Sequence, residues 1–414
     1  MKKKLLIIVG AGASIDFGLP SVKTIDSLFE KWALEIVTLK DDKNKSLYTW
    51  VKECMLVYAK QNPQNYTENI VNFENLLFTI QNLAVILNDK DWEFYNNRLN
   101  PFIDLKFIPD IKRFGKDKKT DGGDFHFLHS YLIDNLLEYF RTICKTIDKD
   151  KKLEIEKLNS FYTDLKTEFE LGFINLNYDN VILSTLPDLE TGFNEATGEF
   201  DRNRIYTSSW NFCYHMHGSV HFDLKGNKID MHKIYWNNDL SSTFAQNSSG
   251  RSSKSTSEGL NHLNSAIIAG LDKSNQLLKE PFGTYFMQLD RLIHESDSIL
   301  FVGYGFSDTH LNRIFPFIRN DKKKRKVVMI DWADDNEDGL NFRRDSWSSG
   351  VFETIPFNAF EMGDGVSRLP QPVFHYKTNK ILEKSTNPDY PIAVWYNGVL
   401  EACNSVDKII DELK

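Results

Sequence analysis

The sequence predicts an α/β fold: a Rossmann-like, doubly wound and mainly parallel sheet with an inserted helical module. Three observations carry this expectation. Four short apolar runs show no strict alternation. A polar or glycine-rich segment follows each run directly. Helical periodicity fills the long interval between the first and second runs.

The runs are LLIIV (5–9), LGFINL (171–176), SILFV (298–302) and KVVMI (326–330). Strands covered by helices on both faces read this way, because both sets of side chains are buried. WNFCYHM (210–216) is a fifth, weaker candidate. After the first run, Val22, Ile25, Leu28, Phe29, Trp32, Ala33 and Ile36 recur at helical spacing, with Ser21 placed as N-cap. FLHSYLIDNLLEYFRTICKTI (127–147) sets Leu128, Leu132, Leu136, Tyr139, Ile143 and Ile147 on one stripe, behind a polar loop at 112–124. The Ser-rich stretch 240–259 is expected to be a mobile loop. The chain divides into an α/β domain (1–20 and 170–335), a helical insertion (21–169) and a C-terminal extension (336–414) with no assignable role, ending in a helix at SVDKIIDELK.

Composition bounds the function. A length of 414 residues accommodates two domains or one with a large insertion, and 30 Phe residues imply an aromatic core. A net charge of −8 argues against nucleic-acid binding by this chain alone. Cys54, Cys144, Cys213 and Cys403 form no CxxC pair, which excludes a four-cysteine zinc knuckle and a disulfide framework. Reduced thiols fit the cytosol. MKKKLLIIV imitates a secretory leader, but its apolar run is too short and glycines follow at once. No stretch approaches a membrane span, so a soluble, cytoplasmic protein is expected.

The chemistry is expected at the carboxyl ends of the strands, where open parallel sheets bind ligands. There the sequence places Gly10-Ala11-Gly12-Ala13-Ser14, Asn177-Tyr178-Asp179-Asn180, His217-Gly218-Ser219, Gly303-Tyr304-Gly305-Phe306-Ser307-Asp308 and Asp331. Gly10 and Gly12 would let the backbone approach a pyrophosphate. The loop is neither GxGxxG, since Ile15 takes the third position, nor a Walker loop. By itself it reads equally well as a strand-to-helix turn. Each other residue also has a plain reading: His217 as a core histidine, Asn177 and Asp179 as an Asx turn, Asp308 as an N-cap, and Lys322–Lys326 as a solvated turn or a docking patch. His215, His217 and His221 suggest a metal triad, but the glycine after His217 breaks the run, and no metal is expected.

GAGASIDFGLP (10–20), LNYDN (176–180), HGS (217–219) and FVGYGFSD (301–308) stand in the order found in sirtuins. The chain resembles the sirtuin-like NAD hydrolases of bacterial antiphage defence, and among them the partner of a HerA-type hexameric ATPase. The resemblance implies a sirtuin-like NAD-binding domain at 1–20 and 170–335, with NAD as substrate, no metal, and a homo-oligomer docked on the ATPase. It implies that Gly10, Ala11, Gly12 and Ser14 line the pyrophosphate and nicotinamide side. Asn177 sits by the nicotinamide ribose, Asp179 by the nicotinamide amide, and His217 is the catalytic base. Gly303, Ser307 and Asp308 meet the adenosine half, and Asp331 the adenine ribose. Two departures weigh against acyl-lysine transfer: the chain lacks the four-cysteine zinc module, and Ser21-Val22-Lys23 stands where deacylases carry Asp-Phe-Arg.

The function expected is an NAD glycohydrolase yielding ADP-ribose and nicotinamide, depleting NAD in antiphage defence under control of assembly. Cleaving the ribose–nicotinamide bond builds an oxocarbenium-like centre with a pyridinium leaving group, which needs no strong general acid. The alternatives are a module that senses NAD or ADP-ribose without turnover, a deacylase, and, last, a Rossmann oxidoreductase. The last should show a strand ending in an acid about 20 residues past the glycines, where this chain reads as helix.

Overall fold

The computed structural model describes residues 2–63, 71–87, 107–207, 209–225, 233–241, 248–255, 261–270, 279–315, 323–332, 382–384 and 392–414. Its centre is a seven-stranded sheet built from β1 (Lys3–Val9), β2 (Phe169–Asn175), β3 (Phe212–His215), β4 (Ser298–Val302), β5 (Lys326–Ile330), β6 (Glu383–Lys384) and β7 (Ile392–Trp395). The order across the sheet is β6-β7-β5-β4-β1-β2-β3. All neighbours are parallel except β6 and β7. The fold is therefore α/β, with a mainly parallel, doubly wound sheet, as the apolar runs predict.

The runs work because parallel strands inside a protein have no wet face. Leu5 through Val9 and Ser298 through Val302 are buried without exception. The chain leaves β1 toward β2 and β3 on one side and returns to β4 and β5 on the other. The switch point of the sheet thus lies between β1 and β4, where the register pairs Val9 with Val302.

The interval after β1 holds α1 (Val22–Ile36), α2 (Leu47–Gln61), α3 (Phe73–Ile86), α4 (Gly122–Cys144) and α5 (Lys152–Glu168). Ser21 caps α1 by accepting from the Thr24 amide, as its sequence position predicts. α4 starts earlier than its apolar stripe suggests. A capping box between Asp121 and Asp124 sets its first turn, with Asp124 fully buried against Arg113 and Lys118. The polar segment before α4 is a hairpin, Ile111–Arg113 with Lys116–Lys118, and not simply a loop. The Ser-rich stretch also differs from expectation: Ser248–Ser255 pairs antiparallel with Asn261–Ser265, while 242–247 and 256–260 lie outside the described residues.

At the C-terminal end, 333–381 and 385–391 lie outside the described residues. The rest joins the sheet: β7 pairs with β5 from Val327↔Ile392 to Ile330↔Trp395. The helix expected at SVDKIIDELK is Val406–Leu413, and it buries Ile409, Ile410 and Leu413. The basic run is only partly solvated. Lys322 lies outside the described residues, and Arg325 is buried, donating to the carbonyls of His294 and Ser296 at the end of the helix Phe282–Glu295.

The turns after β1 and β4 touch backbone to backbone. Gly10 donates to Val302 O, and Gly12 donates to Gly303 O at 2.9 Å. A Cβ on Gly10 would lie 2.7 Å from Gly303 O, and one on Gly12 2.9 Å from the same atom. A Cβ on Gly303, which has φ +58°, would fall inside the backbone of Gly12 and Ala13. Gly303→Ala is therefore expected to cost about 3 kcal/mol or more. Gly115→Ala, at φ +78° with nothing nearby, should lose only about 1 kcal/mol. Chemical denaturation of both variants measures the steric part separately from the backbone part.

Candidate functional site

Three sheet-end segments converge beside the β1 turn. Asn177 follows β2 and is buried. Its side-chain amide donates to Gly10 O and to Ser14 Oγ, both at 2.9 Å, and its backbone amide donates to Asn175 Oδ1. Both protons of the Asn177 amide are thus committed to the protein. Of this amide, the carbonyl end alone remains to meet a ligand.

Asp179 lies on the same turn at 1% exposure. Its Oδ1 accepts from the Val181 amide, and its Oδ2 is buried with no hydrogen-bond partner. Burial pushes the carboxyl up from the ordinary carboxylate range, against the opposing pull of the Ser14 hydroxyl and the Val181 amide. The Asx-turn reading of this segment holds.

His217 follows β3. Its Nδ1 lies 3.1 Å from Leu176 O and its Nε2 lies 2.7 Å from Asp308 Oδ2. Leu176 is held in turn by its amide on Val9 O. The loop is fixed from outside. Val220 donates to Tyr178 O, Ile268 donates to His217 O, and the Tyr178 hydroxyl donates to Ile268 O. Arg141 of α4, fully buried, donates from Nε to Val220 O and from Nη2 to Phe222 O.

The expected residues therefore sort into groups. Gly10, Ser14, Asn177 and Asp179 form one cluster, and Gly12 joins it through Gly303. His217 is joined to it through Leu176 and to the β4 turn through Asp308. Ala11 and Ser307 are exposed. Asp331 belongs to the C-terminal segment: its amide donates to Trp395 O, its carbonyl accepts from Gly398, and its Oδ1 accepts from Trp332. The amides of Gly10, Gly12 and Ala13 are all bonded within the protein, so at these positions the opening bend is a packed turn.

His215 and His221 are structural. His215 faces Asn175 and Cys213, and burial lowers it to about 3. His221 stacks on Trp236, bonds Asn237 O, and is lowered by burial to about 4. Among the described residues no group of three metal-ligating side chains occurs. Arg141 and Asn175 escape sequence reasoning. The one signal for Arg141 is a cation between Leu137 and Cys144 on the buried face of an amphipathic helix.

Residues 172–349 match the family model of a SIR2-like domain. The matched span runs from β2 past β5 and holds Asn177, Asp179, His217, Gly303 and Asp308, while the Gly10–Ser14 turn precedes it. No curated protein matches the chain. Among solved structures, the chain is similar to a Sir2 homologue in complex with NAD, at 9% identity and TM-score 0.31 over 85% of this chain and 88% of that one. A mutant Sir2 homologue with ADP-ribose gives 10%, 0.32, 85% and 91%. A Sir2 protein bound to a propionylated peptide gives 10%, 0.28, 85% and 93%. The fold assignment rests on the sheet pairings themselves.

A buried carboxyl held toward its neutral form carries a pH signature. An acid with a raised pKa in the folded state binds more protons folded than unfolded, so stability falls as pH rises from about 4, the unfolded value, up to the folded one. Asp179→Asn removes that term. The variant is expected to gain stability relative to the parent by about 1 kcal/mol per pH unit across this window. Thermal or urea melts at stepped pH check it, and parallel curves for the two proteins would contradict it.

Proposed function

We propose that the chain is an NAD glycohydrolase that cleaves the nicotinamide–ribose bond to give nicotinamide and ADP-ribose. One observation carries the reading: the amide of Asn177, the carboxyl of Asp179 and the imidazole of His217 gather at one sheet end, beside the Gly10 turn. The SIR2-like match across 172–349 supports NAD as the ligand.

The residues suit that substrate. Asp179 Oδ2 is an orphaned buried atom, and a neutral carboxyl both donates and accepts, as a carboxamide requires. The carbonyl of Asn177, aimed by Gly10 and Ser14, accepts from a ribose hydroxyl or the attacking water. With Nδ1 turned to Leu176 O, His217 presents Nε2 as the nitrogen able to take a ribose proton. The pyridinium leaves as a neutral pyridine, so the site needs placement and charge stabilisation more than acid strength. With Gly10, Gly12 and Ala13 amides committed, the pyrophosphate would lie against exposed Ala11 and the adenosine half toward Gly303, Ser307 and Asp331. The antiphage role, the homo-oligomer and docking on a HerA-type hexameric ATPase extend the proposal from the sirtuin resemblance.

A sensing role without turnover is the second reading. It is favoured by the occupation of both ring nitrogens of His217. Incubation of the protein with NAD, alone and with a HerA-type ATPase, separates the two. Nicotinamide release is expected, and Asn177→Ala should lower it about 100-fold or more while NAD binding persists. Binding without release by the parent would establish the sensor, and an Asn177→Ala variant as active as the parent would overturn the site.

A further inference from the structure

The contact between His217 and Asp308 contains more than a link between two loops. An imidazole that donates from Nδ1 to a backbone carbonyl keeps a lone pair on Nε2. A lone pair and a carboxylate oxygen repel each other, yet Nε2 and Asp308 Oδ2 are 2.7 Å apart. That separation requires a proton between them, whichever atom formally carries it. The pair therefore holds one proton, and the nitrogen that would face a ribose hydroxyl is taken.

Taking the site as a ribose-binding one, as proposed above, we infer that Asp308 is a positioning residue that holds His217 in the ligand-free site. A ribose hydroxyl replaces it on Nε2, with release of the shared proton. In the exchange the hydroxyl donates to Nε2, Asp308 leaves as a carboxylate, and the one proton goes to solvent. This departs from the adenosine-side role that the sirtuin resemblance implies for Asp308.

The geometry shows which partner gives way. Leu176 O is backbone, and its residue is tied to the end of β1 through Val9 O. Asp308 is a side chain at the end of a turn in which Phe306 takes φ 53°, a conformation that is strained for an aromatic residue. Its Oδ1 also accepts a long bond, 3.3 Å, from the Leu311 amide. Asn and Ser both keep that capping ability.

Among the described residues, the titratable groups on the packed segments include Tyr304, His310 and Arg313 near Asp308, Tyr178 and Asp179 on the β2 turn, and Glu74 on α3, which acts on Tyr178. Burial pushes both tyrosines up, so they stay protonated. Asp179 is held toward its neutral form. Neither tyrosine supplies the proton, and the Asp308 variants below separate release at this pair from release at Asp179.

The probe is ADP-ribose, which carries both riboses and is not hydrolysed at the bond in question. Calorimetry in buffers of different ionisation enthalpy is expected to show one proton released per ADP-ribose bound. Affinity should then rise tenfold per pH unit where the free pair holds its proton. In Asp308→Asn the amide donates to Nε2 without any extra proton, so the release should vanish. Asp308→Ser should behave alike. In the ligand-free parent, selective ¹⁵N-histidine NMR should show the Nε2 of His217 sharing a proton, and in Asp308→Asn a bare Nε2. Equal proton release by parent and both variants, or binding by the parent with no release, would overturn the inference and leave the NAD reading standing. Failure of the parent to bind ADP-ribose at any pH would remove both, and the ligand-free NMR would still report on the contact itself.

Discussion

The contact between the turns after β1 and β4 is the constraint on which the site depends. At the switch point of a parallel sheet, two neighbouring strands send their chains to opposite faces, and a crevice opens between their ends. Here that crevice is closed by peptide packed on peptide, with Gly12 bonded to Gly303 O and no room for a Cβ on Gly10, Gly12 or Gly303. The closure sets Gly10 O where the Asn177 amide can reach it, and brings the β4 turn, with Asp308 at its end, over His217. The small residues of the opening bend are thus explained first by backbone approaching backbone. A ligand above the bend meets a surface that this packing has already shaped.

The same closure poses an electrostatic problem. Asp179, Asp308 and Asp331 are all buried at the carboxyl ends of the strands, and the proposed substrate carries a negatively charged diphosphate. Three buried carboxylates facing it would be costly. The structure lowers the charge in different ways at different places. Desolvation pushes the Asp179 carboxyl up from the ordinary carboxylate range, toward its neutral form. Asp308 is paired with the imidazole of His217, 2.7 Å away. Asp331 takes hydrogen bonds at the edge of the C-terminal segment, where Trp332 donates to its carboxylate.

Much of this was legible in the sequence, for physical reasons. Strands with helices on both faces must be continuous apolar runs, so β1, β2, β4 and β5 stand out, and polar residues just beyond them must lie at one end of the sheet. The β3 candidate was weaker because it mixes aromatic and polar residues. What escaped has equally definite causes. Polar strands such as Ile111–Arg113 and Ser248–Ser255 pair through backbone bonds that their side chains do not advertise. The pairing of Asp308 with His217 depends on two turns far apart in sequence, and no local spacing encodes it. The committed amide of Asn177 is likewise a property of where Gly10 ends up.

The helical module is not a separable ornament. Arg141 projects from the buried face of α4 and spends two donors on the carbonyls of Val220 and Phe222, within five residues of His217. Those carbonyls lie in the interior, and an arginine that withdrew would leave them, and its own charge, without compensation. Tyr178 closes the other side by holding both Val220 N and Ile268 O. The loop that carries His217 is therefore clamped between the insertion and the β2 turn. Any displacement of α4 must either move that loop or break charge-assisted hydrogen bonds in the interior. The position of the imidazole in this way depends on α4 as well as on the sheet.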